Sequence, residues 1–332
     1  MISTWIPSQS KTEEGKPRRV GVEIELAGLQ AEQIADCVTS SFGGETIMQT
    51  PTELKVQATS LGDFTVELDA TAVKKLTEKY ADNETEGNSL TNFALDVVTR
   101  AAEQFVPWEV VTPPVPVTEL VNLNQLIERL RDAGALGTRH ALHYAFGVHL
   151  NPELPALAAD TILSYLRAFL CLYDWIVSKE KLDTTRRLTP YIKHFKKDYI
   201  ALAVNPKYCP ALDHLIDDYL ACNPTRNRSL DLLPLFAHLD KDRVRSQLKD
   251  ERIKARPTLH YRLPNCDIDN PDWSLGNTWA LWLAVEKLAS QPQQLESMCR
   301  AYQQELSRLT HPFDDRWVEY VGKHIEPVEP LG

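Results

Sequence analysis

The stretch Arg18–Ala27 (RRVGVEIELA) places two carboxylates two residues apart inside an otherwise apolar run. This alternation predicts a β-strand, in which positions i and i+2 project to the same face of a sheet. Glu23 and Glu25 would then lie side by side, with the apolar residues of the run on the opposite face. Two like charges repel, and an unpaired buried charge is costly or is neutralised by protonation. The strand therefore needs a positive group beside it, and a divalent cation meets that need.

Composition narrows the class of protein. The chain has 332 residues, 43% of them hydrophobic and 25% charged, which suffices for one large domain or two smaller ones. A formal net charge of −10 argues against nucleic acids and anionic membranes as partners. The six cysteines are scattered without a C-x-x-C pair, which indicates reduced thiols. No signal peptide or membrane span is recognisable, so we expect a cytoplasmic protein.

Three further stretches repeat the strand pattern and carry polar side chains. In FTVELDA (residues 64–70), Glu67 and Asp69 share one face, and we expect this strand to neighbour the first acidic one. PWEVV (residues 107–111) carries Glu109 and is ended by the prolines that follow it. The predicted strand His140–Leu150 carries His149.

The remaining patterns indicate a fold class. Helical spacing is found at 31–42, 90–105 and 120–133, and helices dominate the chain from residue 155 onward. TLHYRL (residues 258–263) returns to strand character. We expect an α+β fold with a mainly antiparallel sheet, helices packed on one side and a helical C-terminal half. Residues 1–17 would be a flexible lead-in, 18–325 a single domain with a helical insertion at about 155–250, and 326–332 a flexible tail.

The strand-borne side chains form a candidate set of metal ligands. Oxygen-rich sets with an occasional imidazole suit Mg²⁺ or Mn²⁺ better than structural zinc. Two alternatives stay open: the acids can simply face solvent, and His149 can be a core histidine hydrogen-bonded to the backbone. His143 lies about 20 Å from His149 along an extended strand, which favours a structural role for it. The candidates are Glu23, Glu25, Glu67, Asp69, Glu109, His143 and His149.

Five short motifs, in their order along the chain, resemble those of one enzyme family. They are GVEIE (21–25), FTVELDA (64–70), EVVTPP (109–114), GVHLN (147–151) and RPTLHYRLPN (256–265). Each is degenerate alone, but their order and spacing resemble the amidoligase family of carboxylate–amine ligases, which is related to the γ-glutamylcysteine ligases. The resemblance implies a glutamine synthetase-like fold for the domain at 18–325.

This resemblance also implies cofactors and ligands. ATP would bind with two or three Mg²⁺ ions, with Mn²⁺ as an alternative. Glu25 and Glu109 would hold one ion, and Glu23 and His149 would hold another. A further ligand to the first ion would come from the second acidic strand, either Glu67 or Asp69.

The last motif implies the residues that meet phosphate, and it also departs from the family. Arg262, together with Arg256, would contact the phosphates of ATP or the transferred γ-phosphoryl group. The family shows a glutamate two positions before this arginine, whereas this chain has His260. Because imidazole is a poor Mg²⁺ ligand, the second metal site could be weaker, differently metallated or absent.

The implied reaction forms an amide between a carboxylate and an amine through an acyl phosphate, on an amino-acid or peptide-like substrate. A cation and an arginine would neutralise the charge on the transferred group. The alternatives are a non-catalytic, nucleotide-binding member of the fold that acts as sensor or scaffold, and a metal-dependent hydrolase. The sequence gives no indication of the identity of the substrates or of the oligomeric state.

Overall fold

The computed structural model describes residues 5–68, 107–138, 146–182, 192–308 and 315–325. These residues form a mixed α/β structure with nine strands and ten α-helices. The strands are β1 (Arg19–Leu26), β2 (Glu45–Thr50), β3 (Glu53–Thr59), β4 (Gly62–Leu68), β5 (Trp108–Val111), β6 (Val115–Pro116), β7 (Val148–Pro152), β8 (Leu230–Asp231) and β9 (His260–Tyr261). The helices are α1 (Ala31–Phe42), α2 (Asn124–Asp132), α3 (Ala159–Glu180), α4 (Lys197–Ala203), α5 (Leu212–Cys222), α6 (Leu233–Leu239), α7 (Lys241–Gln247), α8 (Leu275–Ala289), α9 (Pro292–Leu306) and α10 (Asp315–His324).

All strands belong to one sheet with the order β2-β3-β4-β5-β1-β7-β9-β8, and β6 also pairs with β1. Every one of these pairings is antiparallel, which confirms the predicted mainly antiparallel sheet. The expectation that the two acidic strands are neighbours is wrong. β5 lies between β1 and β4, because it hydrogen-bonds to both of them.

The two faces of β1 differ as its alternation predicts. Val20, Val22, Ile24 and Leu26 are fully buried on one face. Burying a side chain of this kind contributes about 1.5–3 kcal/mol, so the face is a strong driving force for folding. The opposite face carries the glutamates.

Helices α1, α3 and α8 cover the apolar face of the sheet. The ring of Phe42, at the end of α1, stacks on Phe64 of β4 with 5.4 Å between centroids. Tyr261 of β9 contacts Phe169 of α3 at 5.8 Å and Trp282 of α8 at 5.1 Å. These aromatic contacts join the sheet to the helical C-terminal half that the sequence predicts.

Helix α3 lies at the centre of the helical layer. The Trp317 indole of α10 donates to the Cys171 carbonyl oxygen at 2.9 Å, and the Cys171 sulfur lies 3.9 Å from that of Cys299 in α9. Among the described residues, α3 alone is long and apolar enough to cross a membrane by length and composition. However, 78% of its most apolar window is buried inside the fold, and buried core helices pass the same test.

The segment before β1 lies against the helices. Trp5 is buried, and its carbonyl oxygen accepts a hydrogen bond from the Trp279 indole at 2.6 Å. Arg18 is fully buried and forms an ion pair with Glu286 of α8 at 2.7 Å. These contacts tie residues 5–18 to α8, while the predicted division of the chain into domains stays a prediction.

Several predicted elements differ from the structure or lie outside its described part. β2 was not predicted, because all of its residues are exposed and show no alternation of burial. Within the C-terminal half that is predicted to be helical, residues 230–239 form the short strand β8 followed by α6. Four predictions fall outside the described residues: the helix at 90–105, the part of the strand 140–150 that precedes residue 146, and the candidates Asp69 and His143.

Candidate metal centre

Cross-strand pairing brings the polar side chains of β1 next to those of its neighbours. Glu23 lies opposite His149 of β7, and Glu25 lies opposite Glu109 of β5. Glu109 in turn lies opposite Glu67 of β4. Directly opposed residues of an antiparallel pair have Cβ atoms about 4.5–5.5 Å apart on one face of the sheet. The polar face of the sheet therefore concentrates side chains from β4, β5, β1 and β7.

The first candidate group consists of Glu25, Glu109 and His149, each of which offers one ligand atom within 4.8 Å of the others. The two carboxylates are half-buried, and the Gly147 N–H donates to Glu25 Oε2 at 2.6 Å. Mg²⁺ binds through one or two carboxylates and keeps positions for water and substrate phosphates. The two partly accessible carboxylates of this group fit that requirement.

The second candidate group consists of Glu23, His149 and His260, again with ligand atoms within 4.8 Å of one another. It is more deeply buried, because its residues are 8%, 5% and 2% exposed, respectively. Glu23 Oε2 lies 2.9 Å from His149 Nδ1 and 3.4 Å from His260 Nε2. Two imidazoles and one carboxylate do not fit the preference of Mg²⁺ for oxygen ligands.

The other oxygen of Glu23 is held by polar neighbours. Glu23 Oε1 accepts hydrogen bonds from Asn151 Nδ2 at 3.0 Å and from Arg256 Nη1 at 3.1 Å. Burial alone would raise the pKa of the Glu23 carboxyl, but His260, the hydrogen bond with His149 and the charge of Arg256 hold the pKa well below its usual range. Glu23 is therefore ionised in the fold.

His260 lies between two carboxylates without forming a regular hydrogen bond to either. Its Nδ1 is 3.9 Å from Asp231 Oδ2, and among the described residues neither ring nitrogen has a hydrogen-bond partner. Burial lowers the pKa of His260, although Glu23 and Asp231 oppose this shift. A lowered pKa favours the neutral imidazole, which is the form that ligates metals.

Arginines border the second group. Arg256 contacts Glu23, as described above, and Arg262 follows β9 two residues after His260. Arg262 donates through Nη1 to the carbonyl oxygen of Arg226 at 3.0 Å. Burial lowers the pKa of the Arg226 guanidinium; Asp231 opposes this shift, and the like charge of Arg262 adds to it. Arg226 thus lies near both Arg262 and Asp231, while Arg256 contacts the second group directly.

The structure places most of the predicted site residues together. Glu23, Glu25, Glu109, His149 and His260 fall into the two groups, and Arg256 contacts one of them. Glu67 lies in the same cross-strand row as Glu109 and is in neither group, and Asp69 lies outside the described residues. The roles of all these residues as ligands or catalysts stay predictions.

Three neighbours of the site were missed. Asn151 is not among the sequence candidates, although the pattern GVHLN places it on the face of His149. Asp231 is not among the sequence candidates, because its position opposite His260 depends on the pairing of two-residue strands. Arg226 lies in a loop whose sequence carries no signal that it approaches Arg262.

Comparison with known protein families identifies the class. Residues 16–284 match the family model described as a putative amidoligase enzyme, so the chain belongs to this amidoligase family. The match confirms the family that the motifs resembled and supports a ligase-type enzyme. No curated protein and no solved structure matches the chain significantly.

Proposed function

We propose that the protein is an ATP-dependent carboxylate–amine ligase with a glutamine synthetase-like fold. It would form an amide bond through an acyl phosphate, on an amino-acid or peptide-like substrate. The observation that carries this proposal is the meeting of Glu25, Glu109 and His149 on one sheet face, beside the second group, which Arg256 contacts through Glu23. Membership of the amidoligase family supports the same reaction class.

The carboxylates and the arginines of the site would have different functions. Glu25 and Glu109 would hold Mg²⁺, with Glu67 next to them in the cross-strand row. When bound, this ion would neutralise and align a polyphosphate. Arg262 and Arg256 would bind the phosphates on the other side of the site, since a guanidinium matches phosphate oxygens in a bidentate geometry.

The proposed reaction has two balanced steps. A substrate carboxylate oxygen bonds to the γ-phosphorus of ATP while the bond from that phosphorus to the β-γ bridging oxygen breaks and ADP leaves. The nitrogen of an amine then bonds to the acyl carbon, the bond from that carbon to the phosphate oxygen breaks, and the amine gives up a proton. The positive side chains stabilise the charge of the transferred phosphoryl group, and no covalent protein intermediate is needed.

The direct test is ADP release by the full-length protein in the presence of ATP, Mg²⁺ and a panel of amino acids and short peptides. We expect turnover with at least one pair of substrates and its near-complete loss in Glu25→Gln. Glu319→Gln is the matched control, because Glu319 pairs with Lys323 on an exposed surface far along the chain. If no substrate pair stimulates turnover and Glu25→Gln changes nothing, the proposal fails.

A metal-dependent hydrolase is the second candidate, favoured by the Glu23–His149–His260 group, since such sets also activate water. The two functions differ in their need for Arg262. Arg262→Ala should strongly reduce a ligase reaction and spare a hydrolase, whereas the exposed Arg300→Ala should spare both.

A nucleotide-binding member without catalysis is distinguished by calorimetry. ATP binding in the presence of Mg²⁺ or Mn²⁺, without ADP formation, would replace the ligase proposal by a sensor or scaffold. Absence of nucleotide binding with either ion would contradict both interpretations.

A further inference from the structure

The second candidate group has the wrong chemistry for Mg²⁺. Glu23 supplies a carboxylate, whereas His149 and His260 supply imidazole nitrogens. Mg²⁺ takes oxygen ligands and dehydrates reluctantly, while imidazoles suit zinc and the other divalent transition metals. Catalytic zinc sites commonly use three protein ligands of the His₂Glu type and keep a further position open.

We propose that Glu23, His149 and His260 form a binding site for a divalent transition-metal ion of the Zn²⁺ or Co²⁺ type, which Mg²⁺ does not occupy. The site shares His149 with the first group, but it uses neither of the carboxylates, Glu25 and Glu109, assigned above to Mg²⁺. It does not depend on the proposed ligase reaction, because metal binding requires neither ATP nor turnover.

The spacing of the donor atoms fits a single small ion. Donors held about 2.1 Å from one ion lie roughly 3.0 Å apart at right angles and roughly 3.4 Å apart in a tetrahedron. The two imidazole nitrogens face the same oxygen, Glu23 Oε2, at 2.9 Å and 3.4 Å. The rings of His149 and His260 meet edge to face with 5.2 Å between centroids, which brings both toward that oxygen.

Each histidine also has a carboxylate behind its second nitrogen. His149 Nε2 lies 3.5 Å from Glu25 Oε1, and His260 Nδ1 lies 3.9 Å from Asp231 Oδ2. Metal-binding histidines usually direct their other N–H to a carboxylate or carbonyl, which fixes the tautomer and increases the basicity of the ligating nitrogen. Both distances exceed that of a regular hydrogen bond. His149 Nδ1 and His260 Nε2 are the nitrogens that face Glu23 Oε2, so these two would ligate the ion.

The hydrogen bonds of Glu23 also direct one of its oxygens toward the two histidine rings. Its Oε1 accepts from Asn151 and Arg256, so Oε2 is the oxygen turned toward the two rings. Neither ring nitrogen of the 2% exposed His260 has a hydrogen-bond partner among the described residues. A buried imidazole without partners loses hydrogen bonds that it had in water, and a bound metal would compensate for that loss.

The experiment measures metal binding by the full-length protein after treatment with a chelator. Co²⁺ is titrated and followed by its visible absorption, and Zn²⁺ is titrated by calorimetry, both in excess Mg²⁺. We expect one equivalent of Co²⁺ with the intense bands of a four- or five-coordinate site, displaced by Zn²⁺ and not by Mg²⁺.

Variants of His260 connect the binding to this site. His260→Gln should weaken Zn²⁺ binding by more than the roughly 10–100-fold typical of losing an outer-shell partner, because it removes a ligand. His260→Glu should restore an oxygen-rich set, lose Zn²⁺ affinity and gain Mg²⁺ or Mn²⁺ affinity. His214→Gln is the control, since that side chain is 73% exposed.

The outcomes separate this proposal from the ligase proposal. Equal competition by Mg²⁺, or Zn²⁺ binding that His260→Gln leaves unchanged, would overturn the metal site even in an active ligase. Selective Zn²⁺ binding without any ADP release would support the site and contradict the ligase. If both His260 variants fail to fold, competition between Zn²⁺ and Mg²⁺ in the unmodified protein still decides the question.

Discussion

Replacement of Glu286 by glutamine tests how the helices are joined to the central strand. Arg18, which directly precedes β1, is fully buried, and each of its five N–H groups has an acceptor. Two of these bonds go to the carboxylate of Glu286, at 2.7 and 2.9 Å. Glu286 also accepts from the Tyr165 hydroxyl and from the Trp282 indole. The ion pair is therefore enclosed in a complete network.

The size of the effect follows from that network. Removal of one partner of a buried ion pair typically costs about 3–5 kcal/mol, because the other charge is left uncompensated. In Glu286→Gln the amide oxygen still accepts one bond, and Arg18 keeps its three bonds to backbone carbonyls. We therefore expect a loss near the lower limit, about 3 kcal/mol. Arg18→Met leaves an ionised carboxylate with only two neutral donors, so its cost should approach about 5 kcal/mol.

Urea denaturation followed by tryptophan fluorescence measures these losses. The double variant Arg18→Met/Glu286→Leu should be less destabilised than the sum of the single variants, since both charges disappear together. Glu319→Gln, in an exposed pair, should change the free energy of unfolding by about 1 kcal/mol or less. Single variants within about 1 kcal/mol of the parent, or strictly additive effects, would refute the assignment of this network as a stabilising connection.

Three further predictions concern other parts of the fold. Burial, aided by a neighbouring arginine, lowers the pKa of His194 to about 3 from an ordinary 6.5, so only the unfolded chain is protonated between these values. The free energy of unfolding should therefore fall with decreasing pH across that window, by at most about 1.4 kcal/mol per pH unit. Urea denaturation of His194→Phe at several pH values should show a pH dependence without this contribution. Gly276→Ala would place a Cβ against the Trp5 ring. This clash should cost about 1–3 kcal/mol of stability, which outweighs the gain in helix propensity, and proteolysis should cleave the segment around Trp5 more readily. Thr112→Val removes the hydroxyl that accepts from the Val22 N–H at 2.9 Å, and thermal or urea unfolding should show a loss of about 1–3 kcal/mol.

Local pattern was enough to predict the elements that carry a strong period. β1 was predicted from its alternation, and α1 was predicted with the bounds that the structure shows, because apolar residues at helical spacing end at Gly43 and Gly44. β2 escaped prediction because its side chains lie in solvent and no burial constrains their order. Periodicity reports burial, so it cannot report a fully exposed strand.

The composition of the candidate site was easier to predict than its arrangement. Glu23, Glu25 and Glu109 could be named from strand patterns and family motifs, which are local properties of the chain. The insertion of β5 between β1 and β4 could not, because pairing joins residues distant in sequence and leaves no local signature. The same reason hid Asp231, which approaches His260 only through the pairing of β8 with β9.

The alternating chemistry of β1 also affects how the chain selects its strand register during folding. A slip of one residue would exchange the two faces of the strand. It would carry Glu23 and Glu25 onto the apolar face of the sheet and move Val22 and Ile24 onto the polar face. A mispaired intermediate would therefore both bury two charges and lose apolar contacts. The carboxylates that serve the candidate metal centre thus act as well against misfolding. Apolar substitution of both glutamates would remove candidate metal ligands and also one of the features that make the pairing of the central strand unique.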